Sequence, residues 1–118
     1  MRYLFYYTLF FTFNFAQFDW QTDGAPIRQG LHIEWQRTGD ANSDGSMIYA
    51  WSDCRNNGVR DVIAQKVDAD GNNLWGDNGV VAVNASGRQE DPQLVTDGDG
   101  GAYIIWMDYR DETDAEGD

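Results

Sequence analysis

Along the second half of the chain the apolar residues fall into short runs, each closed off by a cluster of Asp, Asn and Gly. Four such runs read as strands: residues 62–67, 79–83, 93–96 and 102–108. The intervening "DADGNN", "NASG" and "TDGDGG" supply what tight turns require. Gly accepts positive φ there, and Asp and Asn side chains bond their own backbone. No stretch after Ala16 keeps apolar residues at helical spacing over three turns, so the pattern predicts an all-β chain. "AYIIWM" at 102–107 is apolar on both faces, which predicts a strand packed between neighbouring sheets.

The pattern recurs. "WSDCR" at 51–55 reappears as "WMDYR" at 106–110, and Trp51 and Trp106 are 55 residues apart, as are Trp20 and Trp75. "DGSMIYAWSDCR" at 44–55 lies on "DGGAYIIWMDYR" at 99–110, and "WQTDG" at 20–24 lies on "WGDNG" at 75–79. A weaker echo, Arg28–Gln29 with Arg88–Gln89, is out of register by five residues and implies loops of unequal length. A catalytic signature is needed once; a device that holds a unit together is needed in every unit. In a strand, Trp51, Asp53 and Arg55 share one face, as do Trp106, Asp108 and Arg110. The Arg can then pair with the Asp and lie over a ring while the Trp fills the core. An exposed pair of this kind contributes only about 0–1 kcal/mol, so Trp burial is expected to dominate.

A period of roughly 50 residues with about four short strands is the size of a propeller blade. The chain holds about two such units, interrupted at both ends, and further blades of the same parent chain are expected. Ahead of them, "MRYLFYYTLFFTFNFAQ" sets one basic residue before an apolar run and a small residue, the order of a secretory signal peptide cleaved after Ala16. The run is too short to span a bilayer, which needs about 20 apolar residues. The expected organisation is a signal peptide at 1–16 and a partial propeller-like domain at 17–118, secreted or at the cell surface.

Composition narrows the function classes. Twenty Asp and Glu against eight Lys and Arg give a formal charge of −12, which would repel phosphate backbones and argues against nucleic-acid binding. The single cysteine, Cys54, cannot form an intrachain disulfide, and its counterpart is Tyr109. The single histidine, His32, has no partner at metal spacing. Carboxylates crowd three places: Asp68 and Asp70; Asp97 and Asp99; and the run from Asp111 to Asp118. The first two pairs are candidate calcium ligands, although "DADGN" brings its Gly too soon for an EF-hand loop and turn-forming Asp is the simpler account. No Ser-His-Asp order or Gly-rich phosphate loop appears, and nothing selects a pair of glycosidase carboxylates.

Taken together, "DGDGGAYIIWMDYR", "RDVIAQKVDADGNNLWGDNGV" and "GRQEDPQLVTDG" resemble the blade-type repeats of large secreted bacterial proteins. Those regions repeat W-x-D-x-R and A-Q-x-x-D-x-x-G and often precede C-terminal sorting domains. The resemblance covers residues 19–118 and implies an architecture, not an activity. "DADGNNLW" at 68–75 also resembles the Asp-box of sialidase-like propellers, with Asp68 in place of the Ser and Gly71 one place early. That departure implies a hairpin turn and carries no sialidase chemistry with it. The expectation is therefore an all-β, β-propeller-like array of tandem four-stranded blades, with Trp20, Trp75, Trp51, Asp53, Arg55, Trp106, Asp108 and Arg110 as structural repeat positions. The expected role is a non-catalytic scaffold or a module binding extracellular glycan or protein. The rivals are a fragment of a glycan-active, sialidase-like enzyme and a calcium-dependent adhesion module.

Overall fold

The computed structural model describes residues 24–29, 34–56 and 58–110. The expected signal peptide, Trp20, His32 and the acidic run after Arg110 lie outside the described residues. Among those described, no helix is long and apolar enough to cross a membrane.

The fold is all-β. Six strands run in order: β1 Glu34–Ala41, β2 Met47–Asp53, β3 Asp61–Val67, β4 Val80–Val83, β5 Gln89–Thr96 and β6 Ala102–Asp108. The first four form an antiparallel meander in the order β1-β2-β3-β4, and β5 and β6 form a second, two-stranded sheet. Turn chemistry sets the hairpins. Between β1 and β2 the Asn42 N–H donates to the Ser46 carbonyl at 2.8 Å, and Asp44 accepts from the Ser46 N–H and hydroxyl at 2.9 and 2.6 Å. Between β5 and β6 the Asp97 N–H donates to the Gly101 carbonyl at 3.0 Å, closing the same loop with different side chains.

The two hairpins correspond strand for strand. β5 and β6 begin and end 55 residues beyond β1 and β2. Each hairpin carries a β-bulge at the matching place, between Trp35 and Thr38 in one and Glu90 and Gln93 in the other. The bulged residues, Gln36 and Asp91, both hold positive φ, 48° and 51°. A bulge places two residues opposite one and raises the local twist, so a shared bulge gives both hairpins the same bend. The Arg28–Gln29 echo does not mark corresponding positions: Gln89 opens β5, whereas Gln29 lies ahead of the start of β1. β5 also begins earlier than the apolar run at 93–96 suggests, because its first half holds the bulge and Pro92 in place of alternating apolar residues.

The core lies where the sheets meet. Thr38 and Asp40 on β1, Ile48, Ala50 and Ser52 on β2, and Val62 and Ala64 on β3 share one face, as their register requires. Ala50, Val62 and Ala64 are buried, and Leu94, Ile104, Trp75 and Val83 pack on them. Small residues on the first sheet thus receive the larger Leu94 and Ile104 of the second. Thr96 fixes the register of the sheets, since its N–H and hydroxyl both donate to Asp40 Oδ2, at 2.9 and 3.1 Å. The strand at 102–108 forms as the pattern implies, but β6 has β5 as its single strand neighbour among the described residues, and Tyr103, Ile105 and Met107 are exposed. The expectation of a strand covered on both faces at 102–108 is therefore not met; the strand buried on both is β2, with Ile48 and Ala50 on one face and Trp51 and Asp53 on the other.

Gly79 shows how tightly the turn before β4 is set. Its φ is 75°, and a Cβ there would lie 2.5 Å from the Ala64 carbonyl oxygen and 3.1 Å from the Trp51 ring. Gly79→Ala is expected to lower stability by about 1–3 kcal/mol, seen as a lower urea midpoint with an unchanged slope. Gly76→Ala, with nothing within 4 Å of its added methyl, incurs only the φ penalty at 77° and is expected to shift the midpoint less.

Candidate functional site

Trp51, Asp53 and Arg55 come together at the end of β2 with the carboxylate at their centre. Asp53 Oδ2 accepts from Trp51 Nε1 at 3.2 Å and from Arg55 Nε and Nη2 at 2.9 and 2.6 Å. Asp53 Oδ1 accepts the Arg55 backbone N–H at 2.7 Å, and Arg28 Nε stands 3.3 Å from Oδ2. The Arg55 guanidinium carbon lies 5.8 Å from the centroid of the Trp51 ring, and its Nη1 donates to the Asn78 carbonyl at 2.6 Å. One Arg therefore ties β2 to the loop before β4. Burial pushes the Asp53 pKa up; the hydrogen bonds from Arg55 and Trp51 outweigh it and hold the carboxyl below its usual range. The sequence suggested an exposed, weak pair, but the Asp53 side chain is fully inaccessible. Removing one member of a buried pair costs far more than losing a surface one.

The second copy keeps the clasp and changes the Trp contact. Asp108 accepts the Arg110 N–H on Oδ1 at 3.0 Å and Nε on Oδ2 at 2.8 Å, with Nη2 also on Oδ2. Trp106 Nε1 donates instead to Gln89 Oε1 at 2.9 Å, and Gln89 Nε2 passes the connection to Asp108 Oδ1 at 3.2 Å. Trp51 is 4% exposed and Trp106 36%. The two occupy the same strand position in unlike surroundings, because among the described residues β2 lies between two strands and β6 beside one. The Arg110 side chain, and secondarily the Arg110 N–H and Gln89, hold the Asp108 pKa down at about 2 against a burial penalty that would raise it.

Of the candidate calcium ligands, Asp68 and Asp97 act as turn fasteners, and Asp70 and Asp99 supply backbone N–H groups to them. Asp68 accepts from the N–H groups of Asp70 and Asn72 at 3.0 and 2.8 Å and from the Asn72 amide at 2.9 Å. Asp97 accepts from the N–H groups of Asp99 and Gly101 at 2.8 and 2.9 Å. Those donors lower both pKa values, the Asn72 side chain foremost for Asp68 and the Asp99 N–H for Asp97. Among the described residues no group of three or more His, Cys, Asp or Glu is placed to hold a metal ion. Cys54 is a half-buried free thiol.

Several anchoring residues carry no sequence signal of their own. Gln65, buried on β3, donates to the Gly76 carbonyl at 2.6 Å and accepts the Trp75 N–H at 2.9 Å, so it positions Trp75 over the core. Arg60 reaches Glu90 across the sheets, and its carbonyl accepts the Gln89 N–H at 2.8 Å. Asp40 and Thr96 carry no such signal either, since the 55-residue spacing sets Asp40 with Val95 and Ala41 with Thr96.

Two clefts border residues 24–29. One, of about 470 Å³, lies between Pro26, Ile27 and Arg28 and the outer side of the first sheet at Arg37, Tyr49 and Trp51. The other, of about 570 Å³, is lined by Gln29, Asn72, Asn73, Asp77 and Asn78. The Gln29 N–H donates to Asn78 Oδ1 and the Asn73 amide to the Pro26 carbonyl, both at 3.0 Å, which holds the segment on the loop. Side-chain amides and one carboxylate suit a hydroxyl-rich ligand better than an apolar one. No protein family, curated protein or solved structure matches the chain.

The two carboxylates predict different losses. Asp53→Ala is expected to cost about 3–5 kcal/mol, because it leaves the buried Arg and Trp donors without their acceptor. Asp108→Ala, at a more exposed clasp, is expected to cost clearly less, and equal losses in chemical denaturation would contradict the assignment. The folded-state pKa values of both groups lie below the unfolded value near 3.8. Their stabilisation is therefore present above the unfolded value and is lost as pH falls through the folded values, which for Asp108 means toward about 2. Asp108→Asn is expected to flatten that acid limb, read as melting temperature against pH.

Proposed function

We propose that this chain is a non-catalytic extracellular module built from stacked, blade-like β-units, serving as a scaffold or as a surface that binds glycan or protein. The observation that carries the reading is the coincidence of strand bounds, bulges and positive-φ residues at one 55-residue spacing, together with face-to-face packing of the two sheets. A four-stranded antiparallel meander followed by a second hairpin of matching register is what successive propeller blades would present. The apolar leader at 1–16 supports export, and the acidic balance fits an exported protein. The amide-lined cleft beside Asn72 and Asn78 supports a hydroxyl-rich ligand.

The rival readings have less support. A sialidase-like enzyme needs carboxylates converging on a pocket, and the shared clasps bind Asp53 and Asp108 to their own Arg. A calcium-dependent module needs oxygens free to converge, and Asp68 and Asp97 are engaged with backbone N–H groups.

Stacking of the units is tested by a double-mutant cycle on Asp40→Ala and Thr96→Val. A coupling of about 0.5–3 kcal/mol is expected for residues that share a hydrogen bond across the sheets, and strictly additive losses would count against the packing. The calcium reading makes the opposite demand: the melting curve is expected to be unmoved by millimolar calcium or by chelator, and a rise of several degrees with calcium would replace the scaffold reading with an adhesion module.

A further inference from the structure

The two sheets use opposite faces for their contact. The first offers the face of Ile48, Ala50 and Ser52; the second offers the face of Leu94, Thr96, Ile104 and Trp106, which corresponds position by position to Gly39, Ala41, Tyr49 and Trp51 on the far side of the first sheet. The contact therefore has a direction, and among the described residues it leaves the Tyr103–Ile105 face of the second sheet open and, on the outer side of the first, exposed Gly39 and Ala41 beside the cleft that residues 25–28 border. On the second sheet that face carries Tyr103 and Ile105, 70% and 69% exposed, where the first sheet has Ile48 and Ala50 at 0%. Met107 and Val95 extend it, and Val95 lies directly across from Tyr103. Four large apolar side chains side by side on open sheet are unusual for a surface with no partner.

We infer that a second copy of this chain docks there head to tail, setting the outer side of its first sheet on the Tyr103–Ile105 face; the inference rests on the stacked-unit reading above. Three differences between the internal contact and the outer faces change together, and all suit a second copy. First, size is reversed. Inside the chain, small Ala50 and Ala64 receive large Leu94 and Ile104. At the outer faces, large Tyr103, Ile105 and Met107 would meet Gly39, Ala41 and the cleft of about 470 Å³ beside Arg37 and Tyr49. Gly39 is low enough there that a Cβ would lie 2.8 Å from Tyr49 Cδ1.

Second, polarity is matched. The internal Asp40–Thr96 hydrogen bonds become Val95 against Ala41 of the second copy, one apolar pair replacing one polar pair. Third, the bulges keep their link with a better acceptor. Gln36 Oε1 accepts the Asp91 N–H at 3.1 Å within the chain, and the exposed Asp91 carboxylate stands where it would accept the Gln36 N–H of the next copy, beside that copy's Arg37. A directional contact of this kind generates rings if its rotation closes and open chains if it does not.

The test is sedimentation of the full chain across concentration, with variants on each face. The native chain is expected to associate beyond a dimer as concentration rises. Ile105→Asp on one face and Arg37→Glu on the other, each checked for an unchanged melting curve, are expected to weaken self-association by about tenfold or more. Mixed together, they retain one intact face apiece and are expected to form a dimer that grows no further. Ala41→Asp replaces Arg37→Glu if the latter fails to fold. A native chain that stays monomeric to millimolar concentration would overturn the proposal, whether the face then serves a further unit of a longer chain or an unrelated protein. So would Ile105→Asp that still self-associates. If the Asp40–Thr96 coupling survives such a result, the stacked-unit reading stands and only the second copy is lost; if that coupling is absent too, the reading beneath it has failed.

Discussion

Burial of small residues on β2 and β3 beneath Leu94 and Ile104 is the contact on which the rest of the structure depends. A short antiparallel meander has two faces and cannot cover both by itself, so it is stable only when another layer removes apolar area from water. Here the covering layer is a hairpin of the same kind. Ala50 and Ala64 let it approach closely, and Asp40 holding Thr96 by two hydrogen bonds fixes where along the strands it sits. The bulges at Gln36 and Asp91 give the two hairpins the same bend.

Carboxylates do much of the local fastening, and they do it in two ways. Asp44, Asp68 and Asp97 close turns by accepting nearby N–H or hydroxyl groups, which lowers their pKa values. Asp53 and Asp108 close the ends of β2 and β6 by clasping the Arg two residues on. A chain with a formal charge of −12 thus places at least five of its acids where donors already stand. The acidity therefore has a use in construction, because a charged acceptor makes the stronger hydrogen bond.

The all-β class, the turns and most strand positions were legible from alternation and Gly–Asp clusters, since those signals are local. β1 was not, because "EWQRTGDA" mixes polar residues with a bulge and shows no clean period of two. The start of β5 was hidden for the same reason, with Asp91 and Pro92 inside it. Trp-x-Asp-x-Arg was legible as a structural clasp. That Asp53 would be buried and Asp108 partly exposed was not, because burial depends on how many strands flank β2 and β6.

Spacing along the chain by itself determined that two hairpins would share a length, a turn and a clasp, since these arise from residues within a few positions of one another. Only the tertiary structure decided which face of each sheet turns inward. Alternation leaves β6 apolar on both sides, and the choice of Leu94 and Ile104 for the core, with Tyr103 and Ile105 left outside, follows from the shape of the neighbouring sheet. Packing selects between two apolar faces by fit, and fit is a property of both partners that neither strand carries alone.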